Sequence, residues 1–408
     1  MSISRRLFLF SLGFSLVSCG TKAQQIKAND LQSLNWEEII TKAKGTTVNW
    51  AMWSGSNNIN KFVDQWVAQQ LKDNYQITLN RVPLSDTVEA VNKVVGEFQA
   101  GLTAGGSIDL IWINGENFRT LKQGNFLFGP FSQKLPSMQF YDLNNPAVTA
   151  DFGLPIENFS APYTGSYYLM AADAAKAGQL PSNFTELLAW AKANPGRFTY
   201  VAPPAFDGSR FLLSAFYGTT GGYQQYSGPE FQPNLWNQNS PKLVAYLQEL
   251  APYLWRQTYP PTQQRLGELF ANGEIWLMPA FVSQIAEGIA TRRFPPTTKG
   301  LALAGAALND PSFTAIPKNA TNPWGAMVLA DLLASPAGQL QKFDPQVWGD
   351  PPLLSGAKLD GQTQQKFAAA ESRYGLPLRE LIRDTVPVVN AEYTTQLEKL
   401  WQQRLAGK

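Results

Sequence analysis

The sequence predicts an α/β fold built on doubly wound sheets, and three observations carry that prediction. From Thr46 onward, strand and helix patterns alternate β-α-β-α-β-α within about seventy residues, the order of a doubly wound sheet with right-handed crossovers. The alternation then resumes after Asn183, beyond an extended stretch rich in Pro and Gly. Finally, 408 residues at 44% hydrophobic and 16% charged have an ordinary globular composition, long enough for two sizeable cores.

Leu34 to Lys44 carries Leu34, Trp36, Ile39 and Ile40 at the spacing of a short amphipathic helix. Thr46 to Trp53 is β-branched at its start and runs into the polar turn Ser54-Gly55-Ser56-Asn57-Asn58, as a strand would. Phe62, Trp66, Val67 and Leu71 form one face of a helix over 60–71, and Ile77 to Val82 alternates as a second strand. A helix over 85–102 buries Val88, Val91, Val94, Val95, Phe98 and Leu102, with Ser85 and Asp86 suited to cap it. Ile108 to Ile113 is apolar except for Asp109 and stops at Asn114-Gly115, which reads as a buried strand. Ligands of open α/β sheets lie beyond the carboxyl ends of strands, beside helix N-termini. Asn114, Glu116 and Asn117 therefore stand at a candidate ligand mouth, although Asn114-Gly115 would also serve as a plain turn.

Phe159 to Tyr168 is extended and reads as a strand crossing between domains. Beyond it come a helix from Asn183, a strand over 198–202, a turn over 203–208 and a helix from Ser209. Helices over 241–254 and 262–271 follow, then a short strand over 274–278. Ser312 to Ile316 is extended, Asn322-Pro323 opens a helix that stops at Ser335-Pro336, and residues 350–408 are helical with Pro breaks.

Composition removes several kinds of chemistry. Histidine is absent, which excludes His-based triads, His general bases and His-containing metal sites. Cys19 is the single cysteine, so no disulfide and no Cys-based zinc site can form within the chain. A net charge of +2 argues against a nucleic-acid partner. No phosphate loop or dinucleotide fingerprint follows a strand, so no cofactor is expected, and there are no repeats of the kind a structural or adhesive protein would show. The 12 Trp, 14 Tyr and 24 Phe suit pockets for sugars, amines or ring compounds as well as cores.

At the N-terminus, Ser4-Arg5-Arg6 precedes an apolar run to Val17 and then Ser18-Cys19-Gly20, the layout of a secretory signal over 1–18. Leu16-Val17-Ser18-Cys19 resembles the bacterial lipobox, which implies a lipid on Cys19 and a membrane anchor. Ser4 to Leu9 resembles the twin-arginine export motif. Residues 19–44 would then hold the tether and the first helix, outside the cytoplasmic membrane.

Two later segments carry a further resemblance. Leu332-Leu333-Ala334-Ser335-Pro336-Ala337-Gly338-Gln339 and Gly273-Glu274-Ile275-Trp276-Leu277-Met278 resemble segments of the family 1 extracellular solute-binding proteins of ABC transporters. Asp109 to Phe118 and Asn322-Pro323-Trp324-Gly325-Ala326 look like the YnjB-like branch of that family. The resemblance implies a type II periplasmic binding protein fold, in which two lobes joined by crossing hinge strands close on one small solute. It also implies delivery to an ABC permease with its ATPase, and action as a monomer. Lobe one is expected at 45–160 plus 308–345, and lobe two at 161–307 plus 346–408.

In that layout lobe one contributes Trp53, Ser54, Gly55, Asn114, Glu116 and Asn117 to the cleft, and Tyr163 lies at the crossing. Lobe two contributes Asp207, Ser209, Arg210 and Trp276, while Asn322 and Trp324 open the helix after the chain returns. Gly208-Ser209 at a helix start, with Arg210 beside it, suits a carboxylate or phosphate, whereas Asp207 suits a positive or hydroxylated solute. Tyr167-Tyr168 raises the alternative of ferric-iron binding, and Glu116 facing Asp207 that of glycoside hydrolysis by paired carboxylates.

Overall fold

A computed structural model describes residues 31, 33–228 and 230–406. Both the signal segment and Cys19 lie outside the described residues. In chain order the strands are β1 (Thr47–Trp53), β2 (Thr78–Leu84), β3 (Leu110–Ile113), β4 (Ala150–Asp151), β5 (Leu154–Pro155) and β6 (Ser160–Thr164). They continue with β7 (Tyr167–Asp173), β8 (Leu277–Phe281), β9 (Thr298–Leu301), β10 (Leu308–Asn309), β11 (Ser312–Ala315) and β12 (Val386–Pro387).

Two mixed sheets organise the chain. The first has the order β2-β1-β3-β11-β6, with β1, β2 and β3 parallel and β11 antiparallel to both its neighbours. The second has the order β12-β10-β7-β8, and β9 lies beside β10 on the same edge of β7. The chain passes between them three times: at two short crossings, Gly165-Ser166 from β6 to β7 and Asp310-Pro311 from β10 to β11, and again over residues 316–385 from β11 to β12.

Strand alternation explains why each sheet is covered on both faces. Val48, Trp50 and Met52 of β1 pack under the helix Pro323–Ala334, while Ala51 turns to the opposite layer with Val91, Val94 and Phe118. In β7, Tyr168, Met170 and Ala172 meet the helix Phe206–Thr220, whereas Tyr167, Leu169 and Ala171 meet Leu266, Leu269 and Ile285. Asp109, the polar interruption in the run 108–113, is fully buried and accepts from the amides of Asn49 (2.8 Å) and Asn322 (2.7 Å). It ties β1 and the returning helix to β3, and burial holds its carboxyl above the usual range despite those bonds.

Two predicted strands shift. Phe198 to Ala202 makes only single bridges, from Phe198 to Leu254 and to Leu277. The strand expected over 274–278 begins at Leu277 and continues through Pro279 to Phe281. Pro279 is tolerated because β8 has a full partner on one side only.

Candidate functional site

Strand direction decides which loops can meet. The ends of β1 and β3, the end of β6 and the start of β11 lie along one edge of the first sheet. On the second sheet the start of β7 and the ends of β8, β10 and β12 share an edge. Because both short crossings join these two edges, the space between them is the crevice of the molecule. Among its bridges, Arg119 reaches Glu392 (3.3 Å) and Asn390 (3.3 Å), and Asn58 reaches Glu287 (3.3 Å).

On the first sheet the crevice edge is aromatic. Trp53 is 36% exposed and stands edge-on to Trp112 at 6.4 Å, whose indole N–H donates to Ser312 Oγ (2.8 Å). A Cβ on Gly55 would come within 2.2 Å of the Trp53 ring, so only glycine lets the turn fold over that indole. Ser54 Oγ accepts from Arg81 (3.0 Å), itself paired with Asp64 (2.8 Å). Asn114 precedes the helix Gly115–Gln123 without capping it, leaving its side chain free of that duty, and Glu116 is half-buried in the first turn.

On the second sheet the edge is polar and buried, centred on Arg210. The guanidinium lies between the rings of Phe206 (4.5 Å) and Phe152 (4.7 Å), with Asp310 at 3.6 Å. The side chains of Arg210 and Asp310 are 1% and 0% exposed. Among the described residues, none of the three guanidinium nitrogens has a hydrogen-bond acceptor. Both oxygens of Asp310 and Oδ1 of Asp207 likewise lack a donor. Burial pushes Asp207 and Asp310 up to about 6, with Arg210 opposing the shift in both. Asp151, Glu116 and Glu398 add negative charge around the same centre.

Phe152 arrives from the other sheet. Its hairpin, β4–β5, is anchored by Asp151, which accepts from the Gly115 amide (2.8 Å), and by Ile156 in the first sheet's core. At the tip, Phe152 (φ +46°) and Gly153 (φ +72°) both adopt the left-handed conformation that Asn-Gly usually supplies. A bulky residue held there costs about 1–3 kcal/mol, which the packing of Phe152 in the second sheet's core and against Arg210 must offset.

Several expectations are corrected. Tyr163 is fully buried among Trp50, Trp112 and Trp348, so it packs beneath the crevice instead of lining it. Asn117 is buried in its helix. Trp276 precedes β8 at the end remote from the crevice, under Arg197 (4.7 Å). Asn322 donates to Thr47 O (2.6 Å) and Trp324 packs on Phe128 (6.0 Å), both at the far edge of the first sheet. The reason is that β11 runs antiparallel, so the helix after it starts opposite the crevice. Ser209 offers no free amide, because the helix begins at Phe206 and Ser209 N already donates to Ala205 O (3.0 Å). Its hydroxyl donates instead to Glu398 (2.5 Å). Tyr167 and Tyr168 alternate to opposite faces of β7 and cannot share a metal ion. Burial holds both phenols protonated, Tyr167 at about 12, and Tyr168 donates to Asp207 O (2.7 Å).

The structure adds Phe152, Phe206 and Asp310 to the site. None of them was singled out from the sequence; Asp310-Pro311, an Asp-Pro turn pair ahead of the extended segment at 312–316, is the signal that could have found Asp310.

Two lobes joined by paired crossings, with a buried and unsatisfied polar centre between them, define a two-lobed binding protein. The chain belongs to the bacterial extracellular solute-binding protein family, whose model matches residues 65–371. It is 34% identical to Protein YnjB of Escherichia coli (strain K12) over 374 residues, 91% of this chain and 94% of that one. Among solved structures, maltose-bound MalE3 of T. maritima superposes with a TM-score of 0.64 at 16% identity, covering 86% of this chain and 92% of that chain. The spermidine/putrescine ABC transporter substrate-binding protein PotD of Streptococcus pneumoniae gives 0.61 at 14%, covering 88% and 98%. AfuA of Actinobacillus pleuropneumoniae, with fructose-6-phosphate bound, gives 0.62 at 12%, covering 89% and 99%. These likenesses establish the type II periplasmic binding protein fold.

Proposed function

We propose that this chain is the solute receptor of an ABC importer, taking one small polar solute between its lobes and passing it to a membrane permease with its ATPase. Lobe one would comprise 45–164 with 311–345 and lobe two 165–310 with 346–408, a shift from the expected bounds because β6 pairs in the first sheet and β10 in the second, and the protein would act as a monomer on the extracytoplasmic side. The observation that carries the reading is the orphaned guanidinium of Arg210 inside the crevice, since a buried donor without an acceptor is costly unless a ligand completes it. Trp53, Ser54, Gly55, Asn114, Glu116, Asp207 and Arg210 would form the contact set, the first five from lobe one.

The three solved neighbours differ in the solutes their descriptions name, so fold does not transfer a solute to this chain. A test is thermal unfolding against a solute panel. One solute should raise the midpoint, increasingly with the logarithm of its concentration above Kd, and be recovered unchanged; turnover of a glycoside would replace the receptor with an enzyme. The lipid on Cys19 has its own test. Cys19→Ala should move the protein from the membrane to the soluble fraction, and unchanged fractionation would remove the anchor.

A further inference from the structure

We infer that Arg210, Asp310 and Asp207 form the anchor for two neighbouring hydroxyls of an uncharged sugar or polyol, with Phe152 covering that anchor from the opposite lobe. This rests on the receptor reading above and names its substrate class.

Donors and acceptors are orphaned together here. Arg210 presents three nitrogens without an acceptor among the described residues, while Asp310 and Asp207 present three oxygens without a donor. A carboxylate or phosphate would satisfy Arg210 but meet Asp310 and Asp207, with the charge of Glu116 also felt at Asp310. An ammonium group would satisfy the carboxylates and leave the guanidinium without an acceptor, beside an added positive charge. A hydroxyl both accepts and donates. Two adjacent hydroxyls can accept from the guanidinium fork and donate to the two carboxylates while bringing no charge into a buried site.

The geometry around the guanidinium points the same way. Two rings pack on the Arg210 guanidinium, Phe206 at 4.5 Å and Phe152 at 4.7 Å, and neither offers its N–H groups a lone-pair acceptor. Phe206 belongs to the same helix as Arg210, but Phe152 crosses from the hairpin held to the first sheet by Asp151 and Gly115. Separation of the lobes would lift Phe152 away and uncover the anchor, and closure would seal it. The left-handed backbone of Phe152 is retained because that turn is what aims its ring across the crevice.

The test is calorimetric titration of the wild-type protein, Arg210→Lys, Asp310→Asn and Phe152→Asn with glucose, maltose, mannitol, spermidine, glutamate and succinate. Mass spectrometry of any molecule retained through purification accompanies it. An uncharged sugar or polyol should bind one to one, at least tenfold more weakly in Arg210→Lys and Asp310→Asn with circular dichroism unchanged. Phe152→Asn should release it at least fivefold faster. Asp207→Asn, on the partly exposed first turn, replaces Arg210→Lys should that variant fail to fold. Binding of an amine or carboxylate in place of any sugar or polyol overturns the hydroxyl assignment and leaves the receptor reading standing. Sugar affinity within twofold of wild type in both charge variants overturns it equally. If the wild type retains no molecule and binds no panel member, the receptor reading itself fails.

Discussion

Two buried pairs of opposite charge flank the crossings, and they are finished differently. Lys342, in the helix Pro336–Phe343, donates to Tyr163 O and lies 4.1 Å from the centre of the Tyr163 ring. Asp350, which interacts with Lys342 through charge without a direct ion pair, accepts from Thr164 Oγ1 and from Ser283, so the carboxylate draws on both lobes. Burial lowers Lys342 well below its usual range and raises Asp350 to about 6, with each charge partly restoring the other. Arg210 and Asp310 are as deeply buried, yet neither has a hydrogen bond from its side chain among the described residues. A satisfied buried pair stiffens a structure, whereas an unsatisfied one stores affinity for whatever completes it. The first pair therefore fits a hinge, and the second fits the proposed ligand anchor.

That contrast can be broken most forcefully at the hinge. Lys342→Met leaves Asp350 buried without its partner and should cost about 3–5 kcal/mol in urea unfolding, a larger loss than a ligand-type pair would show. Arg210→Met should act chiefly on binding. Solute affinity should fall at least tenfold, about 1.4 kcal/mol. Stability without solute should also fall, because Asp310 is left buried without its counter-charge, but by less than in Lys342→Met, because no hydrogen bond is broken. Equal losses of stability in both variants would erase the distinction.

Acidity sharpens the comparison further. Asp207 and Asp310 titrate near 6 in the folded protein against about 3.9 unfolded, so the folded form holds these protons more tightly. Their effect favours the folded state below about pH 4 and is lost as pH rises to about 6, on the order of 3 kcal/mol per group. Urea midpoints across that range should fall with rising pH, and less steeply in Asp207→Asn. The smallest effect belongs to the half-exposed pair across the crevice, Arg119 with Glu392. Arg119→Ala should change stability by about 0.2–1 kcal/mol, an effect that added salt removes. A larger, salt-insensitive loss would make that pair part of the folded core.

Much of the site could be read from local pattern, and its failures have one physical origin. Trp53-Ser54-Gly55 and Asn114-Gly115-Glu116 stand at the crevice edge, where a strand followed by a polar turn places a loop at a carboxyl edge. Asn322 and Trp324 were misplaced because the same rule was applied to β11, whose direction depends on its partners β3 and β6. Tyr163 was assigned to the cleft because it stands at a crossing, but Trp50, Trp112 and Trp348 enclose it. Asp207 and Arg210 were singled out, though the conflict between an acid and a base on one helical turn could not be resolved without Asp310 and Phe152.

By itself, the sequence determined that strand and helix alternate in two blocks, that extended segments connect them, and that the chain carries no histidine and a single cysteine. These follow from hydrophobic period, turn residues and composition, which act over neighbouring residues. Tertiary structure alone decided that β11 runs backwards, that Trp276 faces away from the crevice, and that Phe152, Arg210 and Asp310 converge from three distant segments. Pairing direction and convergence are set by which surfaces bury one another across the whole chain, and no local spacing encodes them.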